Sequence, residues 1–142
     1  MSQFYILIAE DDADDRFLLQ TAFDECGFKD KLIFVQNGVE LIDHLFNKTN
    51  YNSDMGWPAF IMLDLNMPKK DGREVLKEIK ENQDFKKTPI VVFTTTKNTN
   101  DIKRCYELGA NSYVVKPVSY DELVRVVAYI RNYWISVSSI PT

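Results

Sequence analysis

Five short apolar runs, each followed by an amphipathic segment, constrain the fold of this chain more than any other feature. The runs are "FYILIA" (Phe4–Ala9), "KLIFV" (Lys31–Val35), "AFIML", "PIVVF" and "SYVV". Apolar residues at helical spacing follow each run, whereas the runs themselves are mostly apolar and do not alternate with polar residues, as in strands buried on both faces. Parallel strands need crossover helices, and those helices must cover the sheet. The pattern therefore predicts an α/β fold with five parallel strands and five helices.

Length and charge exclude several classes of protein. The 142 residues have the length of one domain, and we predict a single domain over residues 1–142, with a core at about 4–134 and an apolar C-terminal extension at 135–142. The net charge is −4 and the basic residues are scattered, which argues against nucleic acid as a partner. No apolar segment reaches the ~20 residues that span a bilayer, and the N-terminus lacks the features of a signal peptide. We predict a cytoplasmic protein that does not contact membranes.

Three local patterns give further expectations. The polar stretch "NKTNYNSDMGWP" predicts a long loop, which we interpret as an insertion at Asn47–Trp57. The first helical segment places Leu18, Ala22 and Cys26 on one apolar stripe. Cys26 and Cys105 both occupy apolar helical positions, and we predict that both are free thiols.

Groups that can carry chemistry stand at the carboxyl ends of four of the five predicted strands. They are Glu10, Asp11 and Asp12 after the first strand, Asp64 after the third, Thr94 at the end of the fourth and Lys116 after the fifth. In a parallel sheet these ends meet at one edge, where ligands bind. We interpret Asp12, like Asp14, as a solvated residue that opens the first helix, since acids are favoured at helix N-termini.

Carboxylates that converge at one sheet edge repel each other unless a cation neutralises them. A site with oxygen ligands and no nearby His or Cys favours a hard ion, Mg²⁺ rather than Zn²⁺. Together with a hydroxyl and a lysine, such a site indicates phosphoryl chemistry, in which the carboxylate of Asp64 can be the nucleophile.

Four motifs in this order, "ILIAEDD", "IMLDLNMP", "VVFTT" and "SYVVKP", resemble the CheY-like receiver domain of two-component response regulators. The resemblance runs from about Tyr5 to Tyr133. It implies a flavodoxin-like, doubly wound sheet with strand order 2-1-3-4-5. The longer run "LDLNMPKKDGREVL", the insertion and the apolar C-terminal extension resemble the stand-alone phytochrome-associated response regulators.

The resemblance also implies a role for individual residues at the acidic end of the site. Asp64 matches the phosphoacceptor of the family. Glu10 and Asp11 match the acidic pair that binds Mg²⁺, and Asp64 with the backbone carbonyl of Asn66 completes the metal ligands. Many members have Asp at the position of Glu10, so the longer Glu10 side chain leaves both direct and water-mediated ligation open.

At the other end of the site, the resemblance assigns a switch. Thr94 matches the hydroxyl residue that bonds the phosphoryl group, and Tyr113 matches the aromatic residue whose rotamer follows it. Lys116 matches the lysine that bonds the phosphoryl oxygens. The resemblance further implies a cis peptide bond between Lys116 and Pro117.

The predicted function is that of a stand-alone response regulator. It accepts a phosphoryl group from a sensor histidine kinase, which the closer resemblance suggests is phytochrome-like, and it is not an enzyme beyond its own phosphorylation and slow dephosphorylation. A downstream protein or a phosphotransfer partner receives the signal, and a homodimer is possible. Two alternatives stay open: a receiver-like binding module that works without phosphate, and a haloacid-dehalogenase-like phosphatase, which Asn66 disfavours because that class typically has an acid there.

The sequence also gives two expectations about the surface. The apolar tail residues Trp134, Ile135, Val137 and Ile140 either fold back on the domain or form an interface, and we favour the interface because the last helix is complete without them. His44 lies in a helical segment among polar neighbours, and we predict that it is a surface residue rather than a metal ligand.

Overall fold

The computed structural model describes residues 4–46 and 56–141. The strands are β1 (Phe4–Ala9), β2 (Leu32–Val35), β3 (Trp57–Leu63), β4 (Ile90–Thr94) and β5 (Ser112–Val115). The helices are α1 (Ala13–Glu25), α2 (Gly38–Phe46), α3 (Gly72–Glu81), α4 (Thr99–Glu107) and α5 (Tyr120–Arg131), followed by a π-helical segment at Asn132–Val137. The predicted insertion at Asn47–Trp57 lies outside the described residues except for its last two, and Trp57 begins β3.

The five strands form one parallel sheet in the order β2-β1-β3-β4-β5. This confirms the predicted flavodoxin-like topology. The strand order reverses at β1: β2 lies on one side of it, and β3, β4 and β5 lie on the other side. Because the connections after β1 and β3 run to opposite sides, a crevice opens beyond the carboxyl ends of these two strands. Asp64 and Glu10 follow these two strands directly.

Helices cover both faces of the sheet, as expected for strands without polar alternation. On one face, α2, α3 and α4 bury side chains that include Leu41, Leu76 and Cys105. On the other face, α1 and α5 bury side chains that include Phe23 and Val127. The central strands β1, β3 and β4 are therefore buried on both faces, whereas the edge strands β2 and β5 are mostly half-buried. This packing holds the carboxyl ends of the central strands in fixed register.

The predicted apolar stripe of α1 is wrong by one position. The buried residues of α1 are Leu19, Ala22 and Phe23, whereas Leu18 is 39% exposed. Ala22 belongs to both possible stripes, so the larger Phe23 decides the rotation of the helix, since burying an aromatic side chain is worth more than burying a thiol. Cys26 is half-buried, Cys105 is buried and both are free thiols, as predicted.

Side chains that cap helices stand where the sequence pattern places them. Asp12 caps α1 by accepting a hydrogen bond from Asp15 N at 3.0 Å, so it opens the helix as predicted. Asp71 caps α3, and Ser119 caps α5. These caps satisfy N–H groups that have no partner within the helix. They therefore fix the points at which the chain leaves the sheet edge and enters each helix.

The C-terminal tail folds back on the domain. Beyond Arg131 the chain continues as a π-helical segment, and Trp134, Ile135 and Ile140 pack against the core formed by α1 and α5. The expectation that the tail is an interface is wrong for these three residues, because the end of the α1–α5 layer offers them apolar partners. Val137 remains exposed.

Arg131 fastens the end of α5 to the segment before β2. Its guanidinium donates two hydrogen bonds to Asp30, at 2.7 and 3.2 Å, and lies 4.5 Å from the ring centre of Phe28. We expect Arg131→Met to lower the free energy of unfolding by about 2 kcal/mol, because the largely buried Asp30 carboxylate then has no cation. Urea unfolding measures this.

The control for that prediction is Arg125→Met. Arg125 pairs with Glu122 on the same helix, but both side chains are about half exposed, and such a pair contributes little. We expect a change within about 0.5 kcal/mol. Equal losses in the two variants would show that the contact of Arg131 with Asp30 contributes no more than an exposed ion pair.

Two other expectations need correction. The peptide bond between Lys116 and Pro117 is trans rather than cis, the isomer that most bonds before proline adopt. His44 is not a free surface residue: it is half-buried and shares a 2.9 Å hydrogen bond with the hydroxyl of the fully buried Tyr5, and burial lowers the pKa of its imidazole. In the parts of the chain that the structure describes, no helix is long and apolar enough to cross a membrane.

Candidate functional site

The segment between β1 and α1 turns the Glu10 carboxylate into the protein. Glu10 is only 2% exposed, and its Oε2 accepts a hydrogen bond from Asp12 N at 3.2 Å. Its backbone carbonyl accepts a hydrogen bond from the guanidinium of Arg16 at 2.9 Å. Arg16 therefore ties the first turn of α1 to the acidic residue at the end of β1.

Asp64 lies immediately after β3 and is 6% exposed. Its backbone N–H donates to the carbonyl of Ala9 at 3.2 Å, which holds the ends of β1 and β3 side by side. Its Oδ1 accepts a hydrogen bond from Asn66 N at 3.1 Å. Gly72 packs directly on this loop, since a Cβ there would lie 2.5 Å from the Asp64 carbonyl oxygen.

Lys116 joins the two buried carboxylates. Its ammonium donates to Oδ2 of Asp64 at 2.8 Å and to Oε1 of Glu10, and a third, longer bond of 3.4 Å goes to Oδ2 of Asp15. Burial by itself lowers the pKa of a lysine, but the bonds to Asp64 and Glu10 outweigh it and raise the pKa of Lys116 above its ordinary value. Lys116 is therefore a permanent cation at this edge of the sheet.

The pKa of Glu10 moves in the direction that burial dictates. Loss of water around the carboxyl raises its pKa to about 7, the negative charge of Asp64 adds to the rise, and the Lys116 ammonium opposes it. Two carboxylates with one shared lysine thus leave an excess of negative charge in a poorly hydrated place. A further cation would stabilise such a site.

A polar network extends from Asp64 toward β5. The amide of Asn66 donates to the hydroxyls of Thr96 at 3.2 Å and of the fully buried Thr94 at a long 3.5 Å. The hydroxyl of Tyr113 donates to the carbonyl of Thr96 at 2.8 Å, and burial raises the pKa of Tyr113. The end of β4 thereby connects the Asp64 loop to the side chain predicted to act as the aromatic switch.

The acidic residues fit a divalent cation. Carboxylate oxygens of Glu10, Asp11 and Asp64 all lie within 4.8 Å of one another, which places them around a common point. Asp11 is exposed, so this cluster opens to solvent on one side. All three donors are oxygens, the ligands preferred by hard divalent ions. The three residues can therefore hold such an ion, which would also meet the excess negative charge beside Glu10.

The loop after Asn66 is tightly constrained. Lys70 N donates to Pro68 O at 2.7 Å, and Lys69 between them has a φ of 70°, in the left-handed region that favours glycine. Gly38, the first residue of α2, packs on this turn, since a Cβ there would lie 2.2 Å from the Lys70 carbonyl oxygen. Helix α2 thus supports the loop that carries Asp64 and Asn66.

The predicted site residues come together, and three contacts were missed. Glu10, Asp11, Asp64 and Lys116 form one cluster, and Thr94 and Tyr113 connect to it through further residues. The missed contacts are those of Asp15 with Lys116, of Arg16 with the Glu10 carbonyl and of Asn66 with Thr96. Asp15 and Arg16 stand in the first turn of α1, where we interpreted Asp12 and Asp14 as solvated residues that open the helix and made no prediction for Asp15 or Arg16.

Comparison with known proteins identifies the family of this chain. Residues 6–128 match the response regulator receiver domain family, so this chain belongs to that family. It is 38% identical to the response regulator Rcp1 of Synechocystis sp., over 96% of this chain and 92% of Rcp1. These findings confirm the predicted class, a response regulator receiver of two-component signalling, as opposed to a phosphatase.

Two solved structures are similar to this chain over nearly its whole length. One is the Mn²⁺-bound form of Rcp1, with a TM-score of 0.86, 35% identity and 99% of both chains covered. The other is the phosphorylated cyanobacterial phytochrome response regulator RcpA, with a TM-score of 0.88, 34% identity and 100% of both chains covered. The kinship with phytochrome-associated response regulators, predicted from the "LDLNMPKKDGREVL" run, is thereby confirmed.

Proposed function

We propose that this receiver accepts a phosphoryl group onto Asp64 from the phosphohistidine of a histidine kinase, with Mg²⁺ in the acidic cluster. The observation that supports this most is the position of Lys116, whose ammonium joins the buried carboxylates of Asp64 and Glu10 at the carboxyl edge of the sheet. One buried carboxylate with a permanent cation on one oxygen and a backbone N–H on the other is held for nucleophilic attack.

In the transfer step a carboxylate oxygen of Asp64 forms a bond to phosphorus while the bond from phosphorus to the donor imidazole nitrogen breaks. Lys116 donates hydrogen bonds to the phosphoryl oxygens and so stabilises the charge that they carry. Glu10, directly or through water, Asp11, Asp64 and the Asn66 carbonyl would hold the ion, which supplies neutralisation of phosphoryl charge. Asn66 N donates a hydrogen bond to Oδ1 of Asp64 and so holds the orientation of the reacting carboxylate.

The proposed switch uses the network that ends at Tyr113. The Thr94 hydroxyl turns to donate to a phosphoryl oxygen, which replaces its long contact with Asn66. Tyr113 then repacks, and the surface of α4, β5 and α5 changes. Helix α4 suits this role because Cys105 is its only buried residue among those described, so few apolar contacts hold it in place. Phosphate acts by its preference for one of two conformers.

The proposed partners follow from this chemistry and from the comparisons. RcpA is a phytochrome response regulator, and we propose a phytochrome-like histidine kinase as the phosphodonor. The signal passes to a downstream protein or phosphotransfer partner by contact, with a homodimer as one possible form. Slow hydrolysis of the acyl phosphate resets the protein.

Incubation with acetyl phosphate, with and without Mg²⁺, followed by intact-mass measurement tests the proposal. We expect a labile gain of about 80 Da that requires Mg²⁺, is absent in Asp64→Asn and persists in Asp14→Asn, an exposed acid in the first turn of α1. No adduct and no Mg²⁺ binding in a folded protein would favour the phosphate-independent binding module. Rapid release of phosphate over many turnovers would favour a phosphatase.

A further inference from the structure

Asp15 has no role in the phosphorylation chemistry described above, yet it contacts the central cation of the site. Its Oδ2 lies 3.4 Å from Lys116 Nζ, and its side chain is 44% exposed, whereas Glu10 and Asp64 are buried. We infer that Asp15 is a specificity-determining residue that disfavours small, highly charged phosphodonors. This inference rests on the proposed function of Asp64.

All three ammonium hydrogens of Lys116 have a carboxylate partner. An ammonium has three, and here they go to Asp64, Glu10 and Asp15, so each of them faces a carboxylate. Two of those carboxylates are inside the protein and one is at its rim. An incoming phosphoryl group that needs Lys116 must therefore compete with Asp15 on the solvent side.

Lys116 and Asp15 share the same surroundings. Asp15 and Lys116 both line a cavity of about 280 Å³ between α1 and the segment from Pro117 to Ser119. Among the described residues that line it, Asp15 is the only acid. The walls are otherwise mostly apolar, which strengthens the fields of these two charges relative to bulk water. Lys116 attracts an incoming phosphoryl group, and Asp15 weakens that attraction by a repulsion that is about twice as large for a donor with two negative charges as for a donor with one.

The other charged residues in the first turn of α1 do not share the position of Asp15. Arg16 is the nearest basic residue in the first turn of α1, but its guanidinium is engaged with the Glu10 carbonyl rather than with Asp15. Asp14 is also acidic and in the same turn, but it contacts neither Lys116 nor the cavity among the described contacts. Asp14 therefore provides a matched control: same residue type, same helix turn, no contact with the site.

The test compares two donors in three proteins. Wild type, Asp15→Asn and Asp14→Asn are each phosphorylated with acetyl phosphate, a dianion at neutral pH, and with phosphoramidate, which carries less net charge. We expect Asp15→Asn to raise the rate constant with acetyl phosphate roughly threefold and that with phosphoramidate less than twofold, while Asp14→Asn changes neither. The gain shrinks between about 0.01 and 1 M salt, where the Debye length falls from roughly 30 to 3 Å.

Each other outcome decides against the inference. An equal gain with both donors would mean that Asp15 only restrains Lys116 and has no part in donor selection. Unchanged or lower rates in Asp15→Asn, with circular dichroism showing an intact fold, would remove the role altogether. If wild type takes up no phosphoryl group from either donor while it binds Mg²⁺, the proposed function itself fails, and the inference with it.

Discussion

Replacing Lys116 with methionine will lower the free energy of unfolding of the metal-free protein by about 2–4 kcal/mol at pH 8. Among residues 4–46 and 56–141, Lys116 is the only cation paired with the buried carboxylates of Glu10 and Asp64, and the substitution removes it. Breaking a buried pair leaves its partner uncompensated, which is more destabilising than the loss of an exposed pair. Phosphorylation of Asp64 will also slow by about a hundredfold or more, because the phosphoryl oxygens lose a charged donor.

The loss of stability in Lys116→Met will depend on pH, and the sign follows from Glu10. Burial raises the pKa of Glu10 to about 7, above the 4.5 of the unfolded chain, so the folded protein takes up a proton first as pH falls. The contribution of Glu10 to the free energy of unfolding therefore increases as pH falls from 7 to 4.5. Lys116 lowers the pKa of Glu10, so its removal raises that pKa further, and the loss of stability is smaller once Glu10 is protonated. The variant will be closer to wild type at pH 6 than at pH 8.

Urea unfolding at the two pH values, with and without Mg²⁺, measures this effect. Lys77→Met on α3 is the control, because Lys77 is exposed, and we expect a change within about 0.5 kcal/mol. Mg²⁺ will restore part of the stability of Lys116→Met by supplying positive charge to the same carboxylates. A variant as stable as wild type at pH 8 without metal would mean that the lysine does not offset the burial of Glu10 and Asp64.

Gly72→Ala will destabilise the protein by about 3 kcal/mol or more. A Cβ at this position would lie 2.5 Å from the Asp64 carbonyl oxygen and 2.6 Å from Leu65 Cα, both of which are backbone atoms that cannot turn aside. Either α3 or the Asp64 loop must move. Phosphorylation by acetyl phosphate will therefore fall in the molecules that stay folded, since the nucleophile is carried by that loop.

Gly27→Ala separates this steric effect from backbone strain. Gly27 has a φ of 78°, so alanine is strained there, but a Cβ would meet no atom of the described part of the chain within 4 Å. We expect a loss of about 1 kcal/mol and an unchanged rate of phosphorylation. Denaturant titration and intact-mass kinetics on both variants make the comparison. If Gly72→Ala and Gly27→Ala lose the same free energy of unfolding, close packing of α3 on the Asp64 loop is not important for stability.

The sheet and the central site residues could be predicted because they depend on short-range patterns. A run such as "AFIML" predicts a buried strand, and the residue that ends it must lie at the ligand-binding edge, whatever the details of packing. Asp64 and Lys116 were found in this way. Their roles as phosphoacceptor and phosphoryl ligand came from the family resemblance and stay predictions.

Details that depend on helix rotation and side-chain reach could not be predicted. Leu18 and Phe23 compete for the buried face of α1, and the sequence period does not decide between them. The contact of Asp15 with Lys116 spans 101 positions and depends on how the first turn of α1 lies beside the residue that follows β5. His44 similarly reaches Tyr5 on β1, a contact that helical periodicity cannot show.

The layer of α1 and α5 has a consequence for synthesis of the chain. Leu19 and Phe23 on α1 pack in one cluster with Leu123 and Val127 on α5, and Arg131 bonds Asp30 across 101 positions. At about 5–20 residues per second, α1 leaves the ribosome several seconds before its partner helix exists. Its apolar face stays uncovered during that time, so this face of the sheet closes last and is the part of the nascent chain most open to aggregation or chaperone binding.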